Sequence, residues 1–146
     1  AVISLQAAHA CMIVQHVPVE FVAQTWPLVE KHISSAEKFG GDDYTADQIK
    51  VYLAKNLWTL LVAVDENNQV HGAATVTFQN YPNDRVAFVT TMGGSMMVNE
   101  EVLGALKNVL KGFGATKIQG AMRPSMVRLS KKIGFVERYA IVELKI

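Results

Sequence analysis

The sequence predicts one mixed α/β domain, a mixed and mostly antiparallel sheet flanked by helices, in the order β-α-α-β-β-β-α-β-α-β. Three observations carry this. Between turn signals, residues 58–91 run apolar or alternate in short stretches, the pattern of an antiparallel meander. Apolar residues at helical spacing bracket that meander, over 19–39 and 45–55 before it and over 99–112 after it. The chain has 146 residues, half of them hydrophobic, which suits one domain with a sizeable core.

Met12 to Val17 is β-branched and apolar, a first strand closed by Pro18. Phe21, Val22, Trp26, Val29 and Ile33 then share one helical face, and Pro27 is expected to kink or restart that helix. Gly40 to Asp43 makes a loop, and Thr45 is an N-cap for a helix through Lys55. Trp58–Val64 and Val70–Gln79 form a hairpin across Asp65 to Gln69. Arg85–Thr91 follows the turn at Tyr81 to Asp84, and Gly93-Gly94-Ser95 is expected to break that strand. Asn99 caps a helix whose buried stripe is Val102, Leu103, Leu106, Val109 and Leu110, with Gly112 and Gly114 at its exit. Thr116–Ala121 is a short strand. Pro124 opens the last helix, which stops at Gly134, and Val136–Ile146 is a final strand.

Residues 12–146 therefore form the domain. Residues 1–11 are expected to be an extension outside it, with Met12 as a candidate natural start and without the basic region of a signal peptide. The longest apolar run is too short for a membrane span, which needs ~20 residues. A single cysteine, Cys11, fits a reducing compartment, so a cytoplasmic location is expected. The final strand offers an edge for pairing, and a homodimer is the corresponding expectation.

The net charge is only +1, but it is unevenly spread: residues 1–100 carry −5 and residues 101–146 carry +6. The basic third lacks interleaved aromatics, which argues against nucleic acid and for helices whose Lys and Arg face solvent. The four histidines are scattered, with no metal-ligand spacing, so no metal is expected. His32 and His71 read as structural or surface groups. Serine-hydrolase and phosphate-loop motifs are absent. The methionines Met92, Met96, Met97, Met122 and Met126 fit core packing better than a ligand groove.

The segment Arg123-Pro124-Ser125-Met126-Val127-Arg128-Leu129-Ser130-Lys131-Lys132-Ile133-Gly134-Phe135, taken with the element order, resembles the GCN5-related N-acetyltransferase (GNAT) superfamily. Members commonly read N-P-x-A-x-x-L-Y-x-x-x-G-F here, and Pro124, Leu129, Gly134 and Phe135 match. Gly114 to Ile118 also looks like the helix-to-strand turn of that superfamily. The resemblance implies transfer of an acetyl or other acyl group from acetyl-CoA, or another acyl-CoA, to the amine of a small molecule or peptide. It implies that the acyl-CoA lies between the fourth and fifth strands, against the backbones of Thr90, Thr91, Gly93, Gly94 and Ser95. Arg128, on the basic last helix, is the candidate for the outer phosphates.

Two departures define what the resemblance leaves open. The pyrophosphate loop would fall at Gly94 to Asn99, where Met97 and Asn99 replace small residues. Glu100 and Glu101 add like charge beside it, each costing a phosphate on the order of 1 kcal/mol in a solvated site. Ser130 stands where many members place a tyrosine as general acid, and is the candidate catalytic residue. Asp42, Asp43 and Tyr44 read as a polar turn with one packed aromatic. The competing expectation is a catalytically inactive binding or structural module on the same fold, for instance a virion-associated or dimerising one.

Overall fold

The computed structural model describes residues 12–37, 43–96 and 100–146. The expected N-terminal extension, the glycines and Asp42 of the first loop, and the cap at Asn99 lie outside the described residues.

Ten elements follow the predicted order up to the last helix. They are β1 (Ile13–Val17), a 3-10 turn (Val19–Phe21), α1 (Val22–Glu37), α2 (Ala46–Ala54), β2 (Thr59–Val64), β3 (Val70–Asn80), β4 (Arg85–Gly94), α3 (Glu100–Gly112), β5 (Lys117–Gly120) and α4 (Pro124–Lys131). The sheet runs β1-β2-β3-β4-β5. The first three pairings are antiparallel, and β4 with β5 is parallel. A parallel neighbour needs a crossover, and α3 supplies it.

From Leu60 to Val64 strand β2 is apolar and buried on both faces. Leu60, Val62 and Val64 face a core formed with Val22, Trp26, Val29 and Ile33 of α1 and with Ile49 and Leu53 of α2. Leu61 and Ala63 face the other core, formed with Val102, Leu106 and Leu110 of α3 and with Ile133 and Phe135 after α4. Thr45 caps α2 as expected, its hydroxyl accepting from the Gln48 amide while the Gln48 side chain accepts from the Thr45 amide.

Three expectations change. Helix α1 runs through Pro27 without a restart. The proline ring is exposed and sits within the first two turns, so few hydrogen bonds are at stake, while Trp26, Val29 and Ile33 hold the helix to the sheet. Strand β4 continues to Gly94 rather than breaking at Gly93, because Gly93 and Gly94 pair with Ala73 and Gly72. The final strand over Val136–Ile146 is not formed. A strand exists only with a ladder partner, and β5 ends the sheet. Val136, Val142, Leu144 and Ile146 stand exposed, Val142 to 91%. Sequence alternation marks a segment able to be a strand; it does not supply the neighbour.

Candidate functional site

The parallel pair of β4 and β5 is latched at one end and open at the other. At the latch, the Arg85 amide donates to the Thr116 hydroxyl at 3.1 Å and the Thr116 amide donates to the Arg85 carbonyl at 2.8 Å. Lys117 meets Asp84 at 2.9 Å, and the same carboxylate accepts from the Thr116 hydroxyl. The Lys117 and Thr116 hydrogen bonds hold the Asp84 carboxyl below its ordinary value. Arg85 also donates to the Phe113 carbonyl at 2.9 Å, tying the exit of α3 to the same corner.

Pairing of the two strands stops at Val89 with Gly120, while β4 runs on to Gly94. The cause is written in β4. Thr91 opposes Thr75 and Val89 opposes Val76, so Thr90 is one residue too many. Such a bulge bends its strand and sharpens the twist. Threonine hydroxyls fix it from inside: Thr75 Oγ1 lies 2.7 Å from Thr90 Oγ1 and 2.6 Å from Thr91 Oγ1, and Thr90 Oγ1 donates to the Thr75 carbonyl at 3.0 Å. Thr75 is fully buried and Thr91 nearly so.

Beyond the bulge, β4 has one satisfied edge and one open edge. The Ser95 amide donates to the His71 carbonyl at 2.9 Å. Antiparallel bonding alternates, so from this pair the groups of Gly93 and Thr91 also face β3. The amides and carbonyls of Met92 and Gly94 then face the side that β5 has left. That edge is a row of backbone donors and acceptors able to pair with an extended, amide-bearing ligand.

The glycines at its end have a packing reason. A β-carbon on Gly93 would collide with the His32 carbonyl of α1. Gly94 has φ +64°, and a β-carbon there would meet the His71 carbonyl and the His32 ring. Small residues thus let α1 lie directly on β4. Among the described residues His32 Nε2 is buried with no partner, while the ring bonds the Val70 backbone. Burial, with the nearby Lys31 charge, holds its pKa below 6.5. His71 joins the opposite corner: its Nε2 meets Asp65 at 2.7 Å, and Asp65 also accepts from the amides of Asn67 and Gln69. These bonds, His71 first, lower the Asp65 pKa.

The sequence-predicted site residues separate into two groups. Thr90, Thr91, Gly93, Gly94 and Ser95 all lie at or just after the open end of β4. Of these, the Ser95 amide is already engaged by His71. Arg128 and Ser130 line a different groove, beside β5, which includes Phe88 but none of Thr90–Ser95. The Ser130 hydroxyl donates to the Val127 carbonyl at 2.7 Å within α4. Met97 and Asn99 lie outside the described residues. Glu100 and Glu101 occupy the first turn of α3, as expected. Tyr44 stacks edge-on against Trp58 at 4.8 Å, a packed aromatic as the sequence indicated. Sequence reasoning missed Thr75 and Met92, whose roles come from register across the sheet and leave no local signal. Among the described residues no group of three metal-ligating side chains occurs, and no helix is long and apolar enough to cross a membrane.

At the level of sequence, no family model and no curated protein matches the chain. The fold does match solved structures. A predicted acetyltransferase from Clostridium acetobutylicum, solved with acetyl-CoA, is similar at TM-score 0.60 and 21% identity, over 92% of this chain and 96% of that one. A ribosomal-protein-alanine N-acetyltransferase from Brucella melitensis biovar Abortus 2308 is similar at TM-score 0.65 and 10% identity, over 92% and 99%. An aminoglycoside acetyltransferase from an uncultured soil metagenomic sample, in complex with sisomicin, is similar at TM-score 0.65 and 9% identity, over 93% and 95%. The fold is that of the GNAT-type acetyltransferases.

Proposed function

We propose that this GNAT-fold chain is an acyl-CoA-dependent N-acyltransferase whose acyl donor pairs with the open edge of β4. The observation that carries the proposal is the departure of β5 from β4 at the Thr90 bulge, which leaves the Met92 and Gly94 backbones without a strand partner on that side among the described residues. An acyl-CoA carries an amide-rich arm, and an arm of that kind can take the place of the missing strand. Thr90, Thr91 and Gly93 shape and support the edge. Ser95, with its amide engaged, contributes through its side chain or by directing the chain toward the following helix. Arg128 stays the candidate for the outer phosphates of a donor long enough to reach α4.

In the reaction the amine nitrogen attacks the thioester carbonyl carbon, the carbon–sulfur bond breaks, and the thiolate leaves with the coenzyme. The ammonium proton then passes to the thiolate, so that the coenzyme leaves as the free thiol. The acceptor is a small-molecule or peptide amine, consistent with the aminoglycoside and ribosomal-protein substrates that the names of the similar proteins carry. A cytoplasmic site of action follows from the single cysteine and from acyl-CoA supply.

Thermal unfolding with acetyl-CoA tests the donor. At ~100 times the dissociation constant, stabilisation approaches ~2.7 kcal/mol. No shift at millimolar ligand sinks the proposal. A second reading, an inactive binding module, is favoured by the engaged Ser95 amide and Ser130 hydroxyl. A shift with acetyl-CoA but no thiol release across a panel of amines would select it.

A further inference from the structure

His32 sits in the last turns of α1, where that helix lies on the end of β4. Its main chain occupies the space a β-carbon on Gly93 would need, and its Nδ1 would stand 2.7 Å from a β-carbon on Gly94. The ring is thus clamped between α1, the start of β3 and the last two residues of β4. Among the described residues Nε2 is buried without a partner, so Nδ1 makes the bond to the Val70 backbone. That bond favours the protonated ring, so Nδ1 donates to the Val70 carbonyl. The neutral ring therefore keeps its proton on Nδ1 and leaves Nε2 a bare lone pair. We infer that His32 is a positioning residue for the acyl donor: its neutral ring holds Gly93 and Gly94 in the shape with which the donor pairs, and a proton on Nε2 releases that end of β4.

A proton on Nε2 adds a buried N–H and a positive charge together. Neither has an acceptor at hand, and burial without one is costly. Asp65 reaches this corner through His71, but its carboxylate already holds His71 Nε2 at 2.7 Å and the amides of Asn67 and Gln69. Lys31 on α1 repels the added charge, and so does His71 on β3 when it is protonated. Gly93 and Gly94 on β4 carry no charge. The strain is relieved when the ring swings out or α1 lifts from the sheet. Either movement removes the surface against which Gly94 holds its φ of +64°. The Met92 and Gly94 groups along the open edge then lose their alignment. A donor that needs the aligned edge binds the neutral ring alone, and by reciprocity it drives the proton off.

His32 has this role only if the open edge takes an acyl-CoA, so two arms keep the two ideas apart. In the first, the Kd of acetyl-CoA is measured from about pH 8 down to about pH 5, across the range in which histidine titrates. The phosphate of the ligand also titrates there. The readout is therefore the difference between the parent and His32→Asn, whose side-chain amide keeps a donor for Val70 and takes up no proton. Below the midpoint of the ring, the parent should lose up to ~10-fold more affinity per pH unit than the variant. In the parent itself, the His32 ring resonance, identified by its absence from the variant, should titrate at lower pH with acetyl-CoA present, by about one pH unit for a tenfold coupling. Equal pH slopes with an unmoved ring midpoint overturn the inference. So does an affinity that rises as the ring gains its proton, the sign expected of a phosphate drawn to an imidazolium. The second arm needs no ligand. Amide exchange, corrected for its intrinsic pH dependence, should show protection at Gly93 and Ser95 falling as the ring takes its proton, and holding in His32→Asn. Absence of acetyl-CoA binding at about pH 8, where the ring is neutral, fails the donor reading. The second arm then still decides whether His32 locks the end of β4, and constant protection there overturns the lock.

Discussion

The hydroxyls of Thr75 and Thr91 meet at 2.6 Å inside the sheet, one residue beyond the point where β4 gains its extra member. Both residues are buried, so the Thr91 hydroxyl depends on Thr75, which also bonds Thr90. Thr75→Val is isosteric but leaves the buried Thr91 hydroxyl without its partner, while Thr90 keeps its bond to the carbonyl of residue 75. A buried polar group without a partner costs about 1–3 kcal/mol. Urea unfolding should show a loss in that range, and acetyl-CoA should stabilise the variant less than the parent. An unchanged midpoint would mean that the bulge does not rely on the threonines.

Gly93→Ala drives a methyl into the His32 main chain, where no rotamer can yield. Either α1 or the end of β4 must move, and overpacking of this kind costs typically ~1–3 kcal/mol or more. Gly104→Ala is the matched control. Gly104 has open space around it and lies inside α3, where alanine is favoured by about 0.5–1 kcal/mol. The two substitutions should shift the melting temperature in opposite directions.

The pH dependence has a definite sign. The folded-state pKa of His32 lies below 6.5, chiefly through burial, so the unfolded chain binds protons more readily in that window. Stability should therefore fall as pH drops below 6.5 and continue falling until the folded state also takes up the proton. Asp65 acts further down: its lowered pKa gives stability that is present above 3.8 and lost as pH falls through its folded value. Denaturant unfolding across this range, repeated with His32→Gln, should remove the upper slope and leave the lower one.

Ser130→Ala should leave acyl transfer within about threefold of the parent, because the hydroxyl already donates to Val127. Loss of a general acid would instead cost ~10²–10⁴-fold. A steady-state comparison at saturating acyl-CoA separates the two outcomes, and the larger loss would restore Ser130 as the acid.

The sequence was legible wherever a local pattern decides structure. Thr45 and Gln48 announce the start of α2, and the continuous apolar run of β2 announces burial on both faces. Pro124 and Gly134 bracket the last helix, Gly134 with φ +99°. Pairwise outcomes were not legible. Alternation in Val136–Ile146 could not say whether a ladder partner would be present. The run from Arg85 to Gly94 held no sign that Thr90 would be the odd residue, since a bulge is a relation between two strands. Gly93 and Gly94 read as a strand break from sequence alone, because the His32 main chain that lies against them belongs to a distant helix. Ser130 kept its place in the motif, with its hydroxyl turned to Val127.

The alternating edge at the end of β4 has a signature in solvent exchange. The amides of Thr91 and Gly93, turned toward β3, should trade their hydrogens for deuterium slowly, while those of Met92 and Gly94 trade quickly. A molecule seated along that edge would abolish the odd–even contrast, slowing the fast pair and leaving the slow pair as it was. Four consecutive backbone positions thus form a reporter of occupancy that needs no turnover and no knowledge of the acceptor.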